Sequence, residues 1–321
     1  MKKCFFIFIL WYSFLLANGE SPRNYQRYFA YFKTPGDETQ IILRKFQQGS
    51  IWYFLTVGVN DLKTAIISTS GLKPVEEAWP NLRQKFAGSP YFKAVSDAEL
   101  NAKTYQDAGI THFLPMERGI NLTIDLCPSK KPLDRILFKK ILLEFGEIEK
   151  PVALAVAVSG LWMRDHPDDL KWILTLIKNR EMTVDWINHS FSHPYSRNLP
   201  LTMNFLLKKG TNVDEEILKN EIYMIENGLI PSVFFRFPGL VSDNDIVKQV
   251  ITYGLIPIGS DAWLAKGQKP GPGSIVLIHG NGNEPLGIKK FFELLRKEKA
   301  DIKKKNWLLY DLRDSISKDM E

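Results

Sequence analysis

The stretch Pro151-Val-Ala-Leu-Ala-Val-Ala-Val158 decides the fold, because all eight of its residues are apolar. A continuous apolar run of this kind is typical of a parallel strand that is covered on both faces. Segments with apolar residues at helical spacing precede and follow it, at residues 133–145 and 168–178. The sequence therefore predicts a strand between two helices, the repeating unit of an α/β fold.

The same alternation continues along the chain. It predicts an α/β domain at residues 116–321, with a parallel sheet that is either open or closed into a barrel. The further strands are predicted at residues 120–126, 182–187, 233–237, 256–260, 275–279 and 307–310, and the further helices at 213–227 and 242–253.

The N-terminal part has a different pattern. Residues 39–43, 50–56 and 63–68 are β-rich and are separated by turn-like pairs, as in an antiparallel meander. Residues 74–115 are typical of helix and loop. We predict a smaller β-rich α+β accessory domain at residues 20–115, in which no catalytic constellation is recognisable.

Residues 1–19 have the organisation of a secretory signal peptide. Lys2-Lys3 precede an apolar run that is too short to span a bilayer, and cleavage is predicted near Gly19-Glu20. The alternative is a retained single-pass anchor. We expect an exported protein, periplasmic or extracellular, in which cleavage leaves Cys127 as the single cysteine and excludes an intramolecular disulfide.

Charge is concentrated near the C-terminus. Residues 289–305 carry eight Lys and Arg against three acids, and apolar residues recur at helical spacing through the first part of this stretch. An amphipathic surface helix with a solvated basic face is expected, and contact with an anionic envelope surface, glycan or lipid, is the alternative. Nothing else in the sequence suggests nucleic-acid binding.

Ionisable side chains follow the predicted strands at the points where these strands end. The carboxyl ends of parallel strands share one edge, which is where active sites collect in such folds. Each residue also has an ordinary structural explanation, and a lone pair of histidines four residues apart is weak evidence for a metal. Their joint placement predicts one site with His189 and His193 as metal ligands, and its members are Asp125, His189, His193, Arg236, Asp261 and His279.

At these positions the sequence resembles the polysaccharide deacetylases, the NodB-homology or carbohydrate esterase family 4 enzymes. The resemblance runs from about residue 121 to residue 316, and the motifs occur in the family's order. They are Thr123-Ile-Asp-Leu-Cys-Pro-Ser129, His189-Ser-Phe-Ser-His193, Arg236-Phe-Pro-Gly239, Asp261-Ala-Trp263 and Ile275-Val-Leu-Ile-His279.

The resemblance implies a distorted (β/α) barrel of the NodB-homology type that removes N-acetyl groups from amino sugars with a divalent metal, Zn2+ by preference. It implies Asp125 as general base and His279 as general acid. Arg236 would keep Asp125 ionised, Asp261 would orient His279 and raise its pKa, and Trp263 would wall the sugar subsite. The implied partner is an N-acetylated glycan such as peptidoglycan, a chitin-like chain or an exopolysaccharide.

The first motif departs from the family, because Leu126 stands where the family has a metal-binding aspartate. Three interpretations are open: Asp125 turns inward to bind the metal, Cys127 supplies a thiolate, or the metal is no longer held tightly.

The sequence thus favours an exported metal-dependent deacetylase. One alternative is a catalytically impaired deacetylase-like protein that binds carbohydrate or acts in the envelope, and another is a hydrolase of a non-sugar amide.

Overall fold

The computed structural model describes residues 20–102, 105–113 and 118–321, so the predicted signal peptide lies outside the described residues. The strands are β1 Arg23–Lys33, β2 Thr39–Gln48, β3 Ile51–Gly58, β4 Thr64–Ser68, β5 Val75–Glu76, β6 Gly119–Leu126, β7 Val152–Val158, β8 Met182–Asn188, β9 Pro231–Phe235, β10 Ile256–Pro257, β11 Ala262–Trp263, β12 Ile275–His279 and β13 Leu308–Leu309. The helices are α1 Trp79–Lys85, α2 Pro90–Leu100, α3 Arg135–Phe145, α4 Gly160–Asp165, α5 Pro167–Lys178, α6 Val213–Glu226, α7 Asn244–Ile251, α8 Pro285–Lys303 and α9 Leu312–Asp319.

The α/β prediction is confirmed. Seven strands form a parallel sheet in the order β10-β9-β8-β7-β6-β12-β11, and β13 pairs with the beginning of β6. Every residue of the central strand β6 is buried, as expected for a strand with helices on one face and the barrel interior on the other. The sheet curls into a distorted (β/α) barrel that is preceded in the chain by an antiparallel sheet.

The register of the parallel strands aligns their carboxyl ends. Asp125 of β6 is paired with His279 of β12, and Val158 of β7 is paired with Asn188 of β8. Asn188 is in turn paired with Phe235 of β9. The residues that directly follow these last two positions are His189 and Arg236, so the register alone brings four of the predicted site residues to one rim.

The predicted meander is confirmed as a five-stranded antiparallel sheet in the order β4-β3-β2-β1-β5. One face of this sheet shares a continuous apolar core with α2, α7 and the strands β9 and β10 of the barrel. The sheet therefore packs directly on the barrel wall.

Residues 105–113 hydrogen-bond to the barrel along its open seam. The Ile110 amide donates to the Pro257 carbonyl at 3.0 Å, and the Phe113 amide donates to the Gly273 carbonyl at 3.1 Å. The predicted domain boundary at 115/116 lies outside the described residues and stays a prediction.

A buried ion pair joins the antiparallel sheet to helix α6 of the barrel. Arg44 of β2 donates to both carboxylate oxygens of Glu221 in α6, at 2.7 and 2.8 Å, and both side chains are almost completely inaccessible to solvent. Arg44 also donates to the Tyr253 carbonyl at 2.7 Å, and the Tyr25 hydroxyl donates to Glu221 at 2.9 Å. The burial of the guanidinium is thus compensated by an anion and further hydrogen bonds.

The basic C-terminal stretch forms the amphipathic helix α8, with its apolar side against the barrel and most of its basic side chains in solvent. Exposed pairs such as Lys290–Glu293 offset part of its charge. Among the described residues, none of the helices is long and apolar enough to cross a membrane.

We predict that Glu221→Ala lowers the free energy of unfolding by about 3–5 kcal/mol, because Arg44 would remain buried without its anion. Urea unfolding followed by far-ultraviolet circular dichroism measures this change. The matched control is Glu215→Ala on the same helix, which removes an exposed pair with Lys219 and should cost at most about 1 kcal/mol. Equal losses in the two variants would contradict the prediction.

Candidate active site

His189 is fixed in one orientation directly after β8. Its Nδ1 lies 2.8 Å from the Arg236 carbonyl, which can only accept, so Nδ1 carries the proton. Its Nε2 therefore presents a lone pair, 3.4 Å from Cys127 Sγ and 3.8 Å from Asp125 Oδ2. Burial lowers the pKa of His189, which keeps the ring neutral. A neutral imidazole with its second nitrogen bound to a carbonyl is the usual form of a metal-binding histidine.

His193 comes to the same place through an irregular loop. Ser190 and His193 both have left-handed backbone conformations, with φ of 61° and 48°. The centroids of the His189 and His193 rings are 4.9 Å apart, and His193 Nε2 is buried without a hydrogen-bond partner. The predicted histidine pair is thus assembled.

Asp125 and Arg236 meet in the barrel interior. Arg236 has no solvent exposure, its Nη1 lies 3.7 Å from Asp125 Oδ1, and its Nη2 donates to Thr123 Oγ1 at 3.0 Å. Asp125 Oδ1 is buried and accepts no hydrogen bond. A carboxylate that is paired with a cation and keeps a free oxygen is suited to receive a proton from a substrate or water.

His279 has a different carboxylate partner from the one expected. Its Nδ1 lies 2.9 Å from Glu284 Oε2, and the Trp263 indole N–H donates to the same oxygen at 2.7 Å. Burial opposes protonation of His279, but Cys127, Glu284 and Asp125 outweigh it and raise the pKa of His279 well above its usual value. Glu284 was missed because it lies five residues beyond the motif, at the start of α8.

Asp261, predicted to orient His279, is bound elsewhere. Its Oδ2 lies 2.7 Å from Nδ1 of His112 and accepts from the Ser274 hydroxyl at 3.2 Å. This places Asp261 on the seam that residues 105–113 occupy, so the expectation that it orients His279 was wrong.

Trp263 is 7 % exposed and carries the Lys266 ammonium 3.7 Å from its ring centroid. Its contacts support Glu284 and His279, and its part in a sugar subsite stays a prediction.

Leu126 and Cys127 point in opposite directions. Leu126 is completely buried in the apolar layer between the sheet and its helices, together with Leu133 and Val158. Gly280 packs so closely on Leu126 that a Cβ there would lie 3.0 Å from the leucine side chain. Successive side chains along a strand alternate between its faces, so Cys127 returns to the face that carries Asp125.

Cys127, His189 and His193 form a group that suits a metal ion. Their potential ligand atoms all lie within 4.8 Å of one another. Burial disfavours the Cys127 thiolate, but His193 and His279 outweigh this effect and lower the thiol pKa to about 7. Thiolate and imidazole are donors that Zn2+ prefers in proteins, so the residues present fit the implied metal.

No protein-family model matches the chain. Among solved structures, the chain is similar to a CE4 family pseudoenzyme from Bacillus anthracis, at 17 % identity over 65 % of this chain and 69 % of that one, with a TM-score of 0.44. A family 4 carbohydrate esterase from Bacillus anthracis aligns at 19 % identity over 69 % and 90 % of the two chains, with a TM-score of 0.44. The peptidoglycan deacetylase PdaC from Bacillus subtilis aligns at 17 % identity over 64 % and 94 %, with a TM-score of 0.42.

The names of these proteins agree with the family whose motifs this sequence resembles. With identities below 20 % and TM-scores below 0.5, the alignments do not assign an activity to this chain. The roles of individual residues therefore depend on the geometry of the site.

We predict that Glu284→Gln lowers the pKa of His279, because an amide cannot stabilise the imidazolium as a carboxylate does. The pKa is measured by NMR titration of the histidine ring protons in protein treated with a chelator. The matched control is Asp261→Asn, which should leave the pKa of His279 unchanged. A larger shift in the control than in Glu284→Gln would restore Asp261 as the partner of His279.

Proposed function

We propose that this chain is an exported, metal-dependent hydrolase that removes N-acetyl groups from an N-acetylated polysaccharide. One observation carries the proposal: Asp125 and His279, aligned on adjacent strands, stand beside the Cys127, His189 and His193 group. A base, an acid and a set of metal donors thus share one rim. Metal-assisted hydrolysis of an acetamide uses these three functions together.

The proton transfers follow from the surroundings of the two residues. Asp125 accepts a proton from the attacking water at a carboxylate oxygen, and the buried Arg236 guanidinium lies 3.7 Å from its Oδ1. His279 is held protonated, and its Nε2 can give a proton to the departing amine nitrogen because Glu284 occupies Nδ1. The C–N bond breaks, and acetate and a free amine are the products.

A divalent metal held by Cys127, His189 and His193 would polarise the acetyl carbonyl as a Lewis acid and make the attacking water more acidic. The protein contributes the orientation of the donors. His189 is fixed through the Arg236 carbonyl, and this contact also ties the ligand to the residue that pairs with the base.

The glycan is proposed from the resemblance of the motifs. Peptidoglycan, chitin-like chains and exopolysaccharides can present the same acetamido group, and the geometry of the rim does not separate them. An N-acetylglucosamine oligomer is therefore the appropriate first substrate.

A second candidate is a catalytically impaired protein of the same fold that binds carbohydrate in the envelope. The placement of Leu126 in the apolar layer favours it, because no carboxylate reaches the metal from that position. The two candidates differ in acetate release, whereas glycan binding is common to both.

We predict that the purified protein with Zn2+ releases acetate from an N-acetylglucosamine oligomer. Asp125→Asn should lower the rate by about 100- to 10,000-fold, the usual contribution of a general base. Acetate is quantified by an enzyme-coupled assay. The isosteric control Asp168→Asn, at an exposed carboxylate in the first turn of α5, should keep the full rate.

Two results would overturn the proposed hydrolase activity. The first is undetectable acetate release from the metal-loaded protein, and the second is an unchanged rate in Asp125→Asn. Tight binding of the oligomer without acetate release would favour the carbohydrate-binding candidate.

Export is proposed from residues 1–19, and the exposed basic side chains of α8 would then face an anionic envelope. We predict that the protein expressed with this segment in a bacterial host leaves the cytoplasm and begins at Glu20. Cell fractionation and N-terminal sequencing test this expectation. Membrane-bound protein that still begins at residue 1 would favour the retained anchor.

A further inference from the structure

The first motif lacks a carboxylate at position 126, yet the site does not lack a third donor. Cys127 is 6 % exposed, and its sulfur approaches His189 Nε2 to 3.4 Å. His193 Nε2 is buried there without a hydrogen-bond partner. Three donors of metal-binding type thus converge, and one of them carries an unsatisfied polar atom.

The spacing agrees with tetrahedral coordination. Zinc binds imidazole nitrogen at about 2.0–2.1 Å and thiolate sulfur at about 2.3 Å, so a tetrahedral angle places the sulfur and nitrogen about 3.5 Å apart. The observed distance between Cys127 Sγ and His189 Nε2 is 3.4 Å. The possible ligand atom of His193 lies within 4.8 Å of both of these atoms.

The backbone holds Cys127 in this position. The Asn281 side-chain amide donates to the Cys127 carbonyl at 2.6 Å, and the Gly280 amide donates to the Asp125 carbonyl at 3.1 Å. The turn that follows β12 therefore fixes the end of β6 on both sides of Leu126. Because His279 precedes that turn, the thiol and the predicted acid are placed by one segment.

Asp125 is the competing ligand. Its Oδ2 lies 3.8 Å from His189 Nε2, but its other oxygen is directed toward Arg236, 3.7 Å away. If Asp125 bound the metal, the buried guanidinium would lose much of its compensating charge.

We propose that Cys127 is the third protein ligand of the metal, so that one cysteine and two histidines hold the ion and one position is left for water or substrate. This inference rests on the proposed function only for the presence of a metal. A thiolate is a softer donor than the carboxylate it replaces, so the site should favour zinc or cobalt over magnesium and manganese. Asp125 then remains free to act as base.

The test uses the purified full chain loaded with Co2+, whose absorption reports its ligands. We expect a near-ultraviolet sulfur-to-cobalt charge-transfer band in the unmodified protein. The band should disappear in Cys127→Ser and persist in Asp125→Asn, the matched control for the competing ligand. Zinc affinity should fall in Cys127→Ser by more than the roughly 10- to 100-fold that loss of an outer hydrogen bond costs.

A second measurement does not depend on the folding of a Cys127 variant. In Cys4→Ser, Cys127 is the single thiol of the chain, and its rate of alkylation by iodoacetamide is followed by mass spectrometry. We expect zinc to slow alkylation and a chelator to restore it. Equal rates with and without zinc, in protein that has bound one zinc, would overturn the proposal.

The outcomes separate this inference from the proposed function. If the metal-loaded protein releases acetate but shows no thiolate band, the proposed hydrolase activity stands and Cys127 is rejected as a ligand. If the thiolate band is present and zinc protects Cys127 from alkylation but no acetate is released, Cys127 stands as a ligand and the proposed hydrolase activity is rejected. Absence of bound cobalt and zinc from the unmodified protein rejects both.

Discussion

Arg236 carries a positive charge with no solvent exposure, and the surrounding groups compensate for it. An isolated guanidinium at this depth would cost several kcal/mol, so an anion must lie close to it. Asp125 is that anion, and Asp107 and Cys127 add further negative potential. The backbone carbonyl of Arg236 also fixes His189. One residue at the end of β9 therefore constrains both the proposed base and a metal ligand.

The sequence was sufficient to predict the parallel sheet and the rim. Apolar runs such as 152–158 identify buried strands, and parallel strands align their carboxyl ends whatever loops connect them. Asp125, His189, Arg236 and His279 could be predicted together because each lies at or next to a strand end. The meander was predictable as well, since its strands are joined by short turns.

The partners of His279 and Asp261 could not be predicted, because they depend on loop geometry rather than on register. Glu284 reaches His279 through the Gly280-Asn281-Gly282 turn, whose course has no periodic signal. His112 reaches Asp261 because residues 105–113 enter the seam of the barrel, far from the motif in sequence. As long as the course of the loops is unknown, two carboxylates near one motif are equally good candidates for the partner of His279.

The alternation of a β-strand gives the first motif a coherent explanation. When only the sequence is compared with the family, a leucine at a metal-ligand position suggests that metal binding has been lost. In the structure the leucine has joined the apolar layer, and the residue after it has joined the site. Burial of Leu126 against Gly280 stabilises the strand end, and the same pleat directs Cys127 toward the histidines. If Cys127 binds the metal as proposed, a shift of one residue along the chain exchanges the oxygen ligand of the family motif for sulfur, and Asp125 and Arg236 keep their places at the rim.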